Sequence, residues 1–123
     1  MKKSFIGQEQ GEPFLARDGA LIFELFRGSG INLKNMSIAV GYLKPGQKAF
    51  KHYHKFSEEI YYVLSGSGKV FVDCGTEEIE IGKAVQIPVY CPHALENTSA
   101  TEEMKILAIC SPPYRDDDIF FVE

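Results

Sequence analysis

The feature that most constrains the fold is a series of short runs of apolar or alternating residues separated by turn signals. The runs are rich in Ile, Val, Phe and Tyr, as half-buried strands tend to be. Turn signals built on Gly, Pro, Ser or Thr lie between them at residues 28–30, 44–46, 65–68, 74–76 and 98–100. The pattern predicts an all-β sandwich or barrel. The expected strands are 21–26, 36–43, 60–64, 69–72, 77–81, 84–87, 93–97 and 104–110.

A helical contribution is not expected. No segment carries a helical period over eleven residues or more, and residues 8–18 would hold one turn of helix at most. The length of 123 residues fits one domain, residues 1–123. The last apolar stretch, residues 119–122, follows an acidic segment that begins with two prolines. We expect this stretch to pack on its own barrel or on a second subunit.

Composition and charge exclude several classes of function. The net charge is -4, and no block of Lys or Arg is longer than Lys2-Lys3, so neither nucleic acid nor an anionic membrane is an expected partner. No apolar stretch follows those lysines, so we expect no signal peptide, and no run is long enough to span a membrane. The three widely spaced cysteines, Cys74, Cys91 and Cys110, favour reduced thiols in a cytoplasmic protein.

The three histidines are the residues that point to chemistry. His52 and His54 would face the same side of an extended segment, because side-chain direction alternates along a strand. Glu58 and Glu59 follow within five positions, and His93 stands at the start of another expected strand. Imidazole nitrogens and a carboxylate oxygen are ligands for a divalent transition metal. A single histidine near a turn is most often an ordinary residue, but the agreement of several constraints favours a metal site.

The alternation of side chains along a strand does not decide whether Glu58 or Glu59 is the carboxylate ligand. In the expected strand after His54, Glu59 shares a face with Tyr61, whereas Glu58 shares the opposite face with Tyr62. Both faces are apolar, so hydrophobicity does not choose between the two glutamates. If Glu59 faces inward, Tyr61 follows it into the barrel, either as a packed core residue or as a residue that contacts substrate.

Two segments resemble the paired motifs of the cupin superfamily. Residues 46–66 read Gly46, five residues, His52-x-His54, four residues, Glu59, six residues and Gly66, which is similar to the first motif in every spacing. Residues 82–97 resemble the second motif and contain Pro88, His93 and Asn97 at its spacing. The spacer, residues 67–81, looks like that of compact microbial members. Tyr90 departs from the pattern, because the family usually has glycine there.

The resemblance implies a single-domain double-stranded β-helix, the cupin or jelly-roll barrel. It implies that His52, His54, Glu59 and His93 ligate one divalent metal ion, which could be Mn, Fe, Co, Ni, Cu or Zn. The distance to Gly66 favours Glu59 and turns Glu58 outward. Gly66 and Asn97 would be structural. Tyr90 falls in a turn that normally needs a glycine conformation, so the backbone leading to His93 could differ.

A site of three imidazoles and one carboxylate leaves one or two positions open on a five- or six-coordinate ion. We therefore expect a metal-dependent enzyme acting on a small polar metabolite, of the isomerase, lyase or dioxygenase type, with Tyr61 as the candidate catalytic residue. A non-catalytic module that binds a metal or metabolite is the alternative, and a closed structural metal site is a third possibility. The pocket would be lined by Tyr61 and by strands 36–43 and 104–110.

The wider sequence looks most like the small mannose-6-phosphate-isomerase-like cupins, on residues 35–38, 59–68 and 109–114. A sugar phosphate would require basic side chains near the mouth, for which the candidates are Lys48, Lys51 and Lys55. Apolar N-terminal strands and the 119–122 stretch would expose apolar area on a 13.8 kDa monomer, so the sequence also predicts a homodimer.

Overall fold

The computed structural model describes residues 6–8, 12–26, 33–73 and 75–122. These residues form eleven β-strands and no α-helix, which confirms the all-β expectation. None of them belongs to a helix of the length and apolarity that crossing a bilayer requires. The turn signal at 28–30 and Cys74 lie outside the described residues. The strands are β1 Glu12–Leu15, β2 Leu21–Leu25, β3 Ser37–Leu43, β4 His52–Tyr53, β5 Glu58–Ser65, β6 Ser67–Val72, β7 Gly75–Glu80, β8 Ala84–Ile87, β9 His93–Asn97, β10 Met104–Ser111 and β11 Phe120–Phe121.

The strands form two antiparallel sheets. The larger sheet has six strands in the order β1-β2-β3-β10-β5-β8, and the smaller has five in the order β11-β4-β9-β6-β7. Strands distant in sequence are neighbours in both sheets, as β3 and β10 are over seven residue pairs. The inner faces of the sheets carry the hydrophobic core. Its most buried members include Val63, Ile87 and Met104, each 1% exposed.

All eight expected strands are present, with ends shifted by no more than two residues. Residues 8–18 were expected to hold one turn of helix at most, and residues 12–15 of this segment form β1, which was not anticipated and pairs antiparallel with β2. The tertiary pairing, which a short segment with mixed polarity does not reveal, decides the conformation there. The two-residue strands β4 and β11 were also not anticipated.

The side chains of strand β5 alternate between the inside and the outside of the barrel. Glu59, Tyr61 and Val63 are buried, whereas the alternate residues are exposed. Inward Glu59 thus leaves Glu58 on the outer face of the larger sheet. The same outer face carries Ile60, Tyr62 and Leu64, which are 41%, 41% and 38% exposed.

Gly66 and Asn97 hold the barrel together beside β5. Gly66 has φ +82°, and a β-carbon there would lie 2.8 Å from the carbonyl oxygen of Glu103, so only glycine fits. The Asn97 side chain is fully buried and donates to the carbonyl oxygens of Leu43, at 3.1 Å, and Glu102, at 2.8 Å. Because buried backbone carbonyls need partners, Asn97 ties β3 to the turn before β10.

Tyr90 adopts the conformation that glycine would supply. Its φ is +63°, and its backbone N–H donates to the carbonyl oxygen of His54 at 2.7 Å. The left-handed conformation costs a residue with a β-carbon roughly 1–2 kcal/mol. The Tyr90 ring packs near that of Tyr53, with centroids 6.2 Å apart. The turn before His93 therefore keeps its left-handed backbone although the glycine is absent.

The C-terminal segment packs on its own barrel. Strand β11 pairs with β4, where Phe120 lies opposite Tyr53. Ile119 is 4% exposed, and its carbonyl oxygen accepts a hydrogen bond from Arg17 at 3.4 Å. Of the two expectations for residues 119–122, packing within the chain is the one that the structure shows.

Candidate metal centre

Four buried side chains from both sheets converge at one end of the barrel. His52 lies on β4 opposite His93 on β9, His54 follows β4, and Glu59 projects inward from β5. One ligand atom from each residue can be chosen so that all four lie within 4.8 Å of one another. The structure thus brings together the four residues expected to form a metal site, and these residues could hold one ion.

The hydrogen bonds of the imidazoles fix which nitrogen faces the centre. Nδ1 of His52 lies 2.7 Å from the carbonyl oxygen of Phe50, and Nδ1 of His93 lies 3.0 Å from that of Cys91. Nδ1 of His54 lies 2.6 Å from the carbonyl oxygen of Asp118. A carbonyl oxygen only accepts, so each Nδ1 carries a proton and donates it. With the proton on Nδ1, the lone pair of Nε2 is the one that can reach a ligand at the centre, as in metal-binding histidines.

Two atoms at the centre have no hydrogen-bond partner among the described residues. They are Oε1 of Glu59 and Nε2 of His93, and both are buried. Nε2 of His54 and Nε2 of His93 each lie 3.3 Å from Oε1 of Glu59. Lone pairs gathered without donors are costly unless a proton or a cation lies between them. The donor set, three imidazole nitrogens and one carboxylate oxygen, fits a divalent transition metal.

The electrostatics favour an ionised carboxylate. Burial alone would raise the pKa of Glu59, but the adjoining imidazoles of His54 and His93 outweigh burial and hold that pKa well below its usual range. Burial and the neighbouring His93 lower the pKa of His52 to about 4. His52 is therefore neutral at pH 7, with Nε2 unprotonated, which is the state that a metal requires.

The comparison with known families decides the identity of the fold. The Cupin_2 family model, a cupin domain, matches residues 39–110, which is more than half of the chain. The chain belongs to the cupin family. An uncharacterized protein of Methanocaldococcus jannaschii is 34% identical to this cupin over 112 residues, which cover 91% of this chain and 89% of that protein.

Solved structures agree with the assignment. Oxalate decarboxylase from Bacillus subtilis has a TM-score of 0.79 and 20% identity, and the match covers 95% of this cupin and 31% of that chain. Pac13, a Streptomyces protein described as a unique nucleoside dehydratase, has a TM-score of 0.76 and 16% identity. That match covers 97% of this cupin and 90% of Pac13. Likeness at these identities establishes the fold alone, and it confirms the expected cupin barrel.

Residues outside the ligand set hold it in place. The thiol of Cys110 on β10 donates to Oε2 of Glu59 at 3.4 Å. The carboxylate of Asp118 accepts the backbone N–H groups of Lys55, Phe56 and Ser57 at 2.8–3.1 Å. The backbone carbonyl of the same Asp118 accepts from His54. Asp118 therefore fixes both the orientation of the His54 ring and the loop that carries it to Glu59.

Tyr61 lies next to the four-residue cluster. It is 6% exposed, and its ring centroid lies 5.9 Å from that of His93. Burial, and next the charge of Glu59, raise the pKa of the Tyr61 hydroxyl well above its usual value. The hydroxyl is therefore protonated at neutral pH and can donate a hydrogen bond or a proton.

A pocket of about 70 Å³ leads from the cluster toward the N-terminal strands. Its walls include Tyr61, alternate residues of β3 and alternate residues of β10, as expected. Asp18 and Glu24 also line it and were not anticipated. Lys48, Lys51 and Lys55, the expected phosphate-binding candidates, do not line it, and that expectation was wrong. Lys48 and Lys51 instead line a separate groove that also contains Lys69 and Phe71.

Metal binding by this cupin is expected to weaken in acid. In the metal-free protein, burial would lower the pKa of His54, but Glu59 and the carbonyl of Asp118 raise it above 6.5. Below that pKa an ion must displace a proton from Nε2, so affinity should fall by about tenfold per pH unit. Equilibrium dialysis against Zn²⁺ between pH 8 and pH 5, with metal analysis of the protein, measures this. An affinity that stays constant down to pH 5 would contradict the assignment of His54.

Proposed function

We propose that this cupin is a metal-dependent enzyme that acts on a small organic molecule by isomerase, lyase or dioxygenase chemistry. In this proposal His52, His54, Glu59 and His93 ligate one divalent ion of Mn, Fe, Co, Ni, Cu or Zn. The observation that carries the proposal is the convergence of four buried ligand atoms, two of them without hydrogen-bond partners among the described residues, at the wall of an open pocket. An open site beside a pocket is typical of a catalytic metal rather than a structural one.

The residues of the chain have distinct tasks in this proposal. Held by these four residues, a divalent ion would supply Lewis-acid chemistry or, if redox-active, dioxygen chemistry beside the pocket. Glu59 lowers the net positive charge of the centre, and the carbonyls of Phe50, Cys91 and Asp118 orient the three imidazoles through their Nδ1 atoms. The hydroxyl of Tyr61 donates a hydrogen bond to an oxygen that gains negative charge, or returns a proton to a carbanionic carbon.

The cupin neighbours support a catalytic role. Pac13 is described as a nucleoside dehydratase, and the Bacillus subtilis protein as an oxalate decarboxylase. Both names describe reactions in which a small molecule loses water or carbon dioxide. A fold hosts many functions, so the neighbours favour enzyme chemistry without defining the substrate.

Substitution of Tyr61 by phenylalanine tests the proposal. We first expect about one equivalent of metal per chain in protein grown with supplemented metals. Acetylacetone in an oxygen electrode and an aldose–ketose interconversion assay then distinguish dioxygenase from isomerase chemistry. Tyr61→Phe should retain the metal and lower kcat by about 100-fold, because one proton donor is lost. A metal-loaded protein whose turnover does not change in this variant would remove Tyr61 from the catalytic role, and metal-free protein would contradict the whole proposal.

A homodimer is the expected assembly. The outer face of β5 exposes Ile60, Tyr62 and Leu64, and Leu15 and Leu21 are 73% and 42% exposed in the N-terminal strands. Exposed apolar side chains on the outer face of a sheet often mark a contact surface. We expect static light scattering at micromolar concentration to give twice the 13.8 kDa chain mass, and a monomer would contradict the proposal. The cytoplasmic location and the absence of nucleic-acid and membrane partners stay predictions.

A further inference from the structure

Two side chains of the larger sheet hold one oxygen of the Glu59 carboxylate. We propose that Cys110 and Ser37 are positioning residues, which hold Oε2 of Glu59 so that Oε1 is the oxygen presented to a metal ion. This inference rests on the proposed function, because it concerns the same centre. It goes beyond that function by assigning the choice of carboxylate oxygen to residues that are not themselves ligands.

The two oxygens of the Glu59 carboxylate have different surroundings. Oε1 lies 3.3 Å from Nε2 of His54 and 3.3 Å from Nε2 of His93, and it has no hydrogen-bond partner among the described residues. Oε2 accepts a hydrogen bond from the thiol of Cys110 at 3.4 Å, and this bond is buried. A carboxylate whose second oxygen is held in this way keeps its first oxygen turned toward the imidazoles.

The strand register places Ser37, Cys110 and Glu59 in one row across the inner face of the larger sheet. Cys110 of β10 lies opposite Ser37 of β3 on one side and opposite Glu59 of β5 on the other. All three side chains line the pocket. Side chains directly opposite each other on one face of paired strands interact closely. The contacts of this row therefore follow from the sheet itself and do not depend on a loop.

The hydrogen bonds of this row run in one direction. The backbone N–H of Tyr114 donates to Oγ of Ser37 at 2.8 Å, so the hydrogen of the Ser37 hydroxyl points to a different group. That hydroxyl also hydrogen-bonds with the sulfur of Cys110. At the other end an ionised carboxylate only accepts, so the hydrogen of the thiol lies toward Oε2. The Ser37 hydroxyl therefore donates to the sulfur, and the thiol donates to Glu59.

This arrangement strengthens a donor that is weak by itself. A thiol donates less well than a hydroxyl, but a hydrogen bond received by the sulfur polarises the S–H bond, and successive hydrogen bonds strengthen one another. A charged acceptor strengthens the bond further. Cys110 is 4% exposed, so little water competes with the thiol for Oε2. We therefore expect the thiol to affect metal binding although sulfur is a poor donor.

Tyr61 is a second donor near the same carboxylate. Its hydroxyl also hydrogen-bonds with the Glu59 side chain. In the proposed function this hydroxyl donates to the substrate. The thiol then remains on the carboxylate, because Cys110 is fixed between β3 and β5 by the sheet. Cys110 therefore holds Glu59 throughout, whereas Tyr61 is available to the substrate.

Three substitutions of Cys110 distinguish a hydrogen-bond donor from a side chain that only fills space. Cys110→Ser keeps a donor in a slightly smaller side chain, Cys110→Val fills a similar volume without a donor, and Cys110→Ala removes both. We expect the affinity for Zn²⁺ to stay within about threefold of wild type in Cys110→Ser and to fall by about tenfold or more in the other two variants. Competition with a chromogenic chelator measures the affinity.

The order of the variants decides the outcome. A side chain that only fills space predicts that Cys110→Val binds Zn²⁺ more tightly than Cys110→Ser. That order, or equal affinities in these two variants, would overturn the inference. If Cys110→Val does not fold, the comparison of Cys110→Ser with Cys110→Ala decides, because these two differ by one hydroxyl. Equal affinities in that pair would likewise overturn the inference.

Ser37→Ala tests the other end of the row. We expect it to lower the affinity for Zn²⁺ by about threefold, because the thiol stays in place but loses the hydrogen bond that polarises it. Ser111→Ala is the matched control, since Ser111 follows Cys110 on β10 and its exposed hydroxyl donates to the carbonyl oxygen of Asn35 at 2.7 Å. Its affinity should equal that of the wild type. Equal affinities in the two variants would overturn the assignment of Ser37.

Infrared spectroscopy of the metal-free protein gives a readout that does not depend on an ion. The S–H stretching band of Cys110 is identified by its loss in Cys110→Ala, and a hydrogen bond lowers the frequency of such a band. We expect the band to move to higher frequency in Glu59→Gln, because an amide accepts less strongly than a carboxylate. Ser37→Ala should shift it in the same direction. A band at the same frequency in the wild type and in Glu59→Gln would overturn the inference.

The two readouts separate this inference from the proposed function. Metal analysis of the wild type reports whether the centre binds an ion, and protein that takes up no metal would contradict the proposed function. The infrared shifts still decide in that case whether the thiol holds Oε2. A protein that binds one equivalent of Zn²⁺ equally well in Cys110→Ser and Cys110→Val would overturn the positioning role and leave the metal proposal intact.

Discussion

Replacement of Glu59 by glutamine is expected to abolish stoichiometric metal binding. The carboxylate is the single anionic member of the four-residue cluster, and Oε1 lies 3.3 Å from two imidazole nitrogens. An amide oxygen is a weaker ligand, and the amide N–H₂ would face either the ion or the imidazoles. We expect the affinity for Zn²⁺ or Mn²⁺ to fall by at least about 100-fold, which is more than the loss of a supporting residue usually costs. Competition with a chromogenic chelator measures the affinity.

The neighbouring residue provides a matched control for this experiment. Glu58→Gln removes the same charge one position earlier, but Glu58 lies exposed on the outer face of β5. Its metal affinity should therefore equal that of the wild type. Equal losses in the two variants would contradict the assignment of the ligand by strand parity, and unchanged affinity in Glu59→Gln would remove Glu59 from the centre.

Replacement of Asp118 by alanine is expected to destabilise the folded chain strongly. The side chain is 1% exposed, and its carboxylate accepts three backbone N–H groups, of which that of Ser57 belongs to a buried residue. Without the carboxylate, these donors lose their partner, and the N–H of Ser57 remains shielded from water. We expect the free energy of unfolding to fall by about 3 kcal/mol or more. Chemical denaturation of the metal-free protein measures this.

The same variant should also weaken metal binding. The loop at residues 55–57 connects His54 to β5, and movement of this loop would displace His54 from the centre. We expect a loss of affinity of about 10- to 100-fold, as for other residues that orient metal ligands. Asp117→Ala is the control, because Asp117 is exposed and pairs with Arg115 at the surface. Its stability and its affinity should match those of the wild type. An Asp118→Ala protein as stable as this control would contradict the role of Asp118.

Much of the barrel could be predicted because its strands are signalled locally. Alternation of apolar and polar residues and the turn residues between runs located eight of the strands. The strands β4 and β11 have two residues each, which is too few for a period to show, and β1 is a four-residue segment of mixed polarity. Their conformation depends on partners distant in sequence, such as Tyr53 for Phe120. Sheet order likewise depends on long-range pairing, which a single sequence does not display.

The candidate metal centre also has one part that the local sequence predicts and another that depends on contacts distant in sequence. The spacing of His52, His54 and Glu59 is local, and His93 stood out as the third histidine, at the start of another expected strand, before the motif resemblance placed it in the ligand set. The supporting Asp118 could not be found in this way, because its contacts with residues 55–57 span more than sixty positions. Glu24 did carry a local signal, since it is a single charged residue within an otherwise apolar strand. That signal indicates a buried carboxylate but does not indicate what it faces.

The lysines near the histidines show another reason why the sequence alone did not predict the lining of the pocket. Lys48, Lys51 and Lys55 lie close to the histidines in sequence, and proximity in sequence suggested proximity to the pocket mouth. Lys51 and Lys55 differ in parity from His52 and His54, which are buried, and Lys51 lines the separate groove. Lys48 has the parity of the histidines but is exposed and lines the same groove as Lys51. Nearness along the chain therefore does not decide which residues share a site.

The hydrogen bond between His54 and the carbonyl oxygen of Asp118 has a consequence for the order of events during folding. The two residues are 64 positions apart, and His52 pairs with His93 across the smaller sheet. A short peptide containing residues 52–59 therefore lacks both the third imidazole and the group that orients the second. An ion cannot nucleate this barrel as it nucleates a zinc finger, in which the metal directs the folding of a local segment. The strands must close first, and the ion then enters a cage that is already assembled.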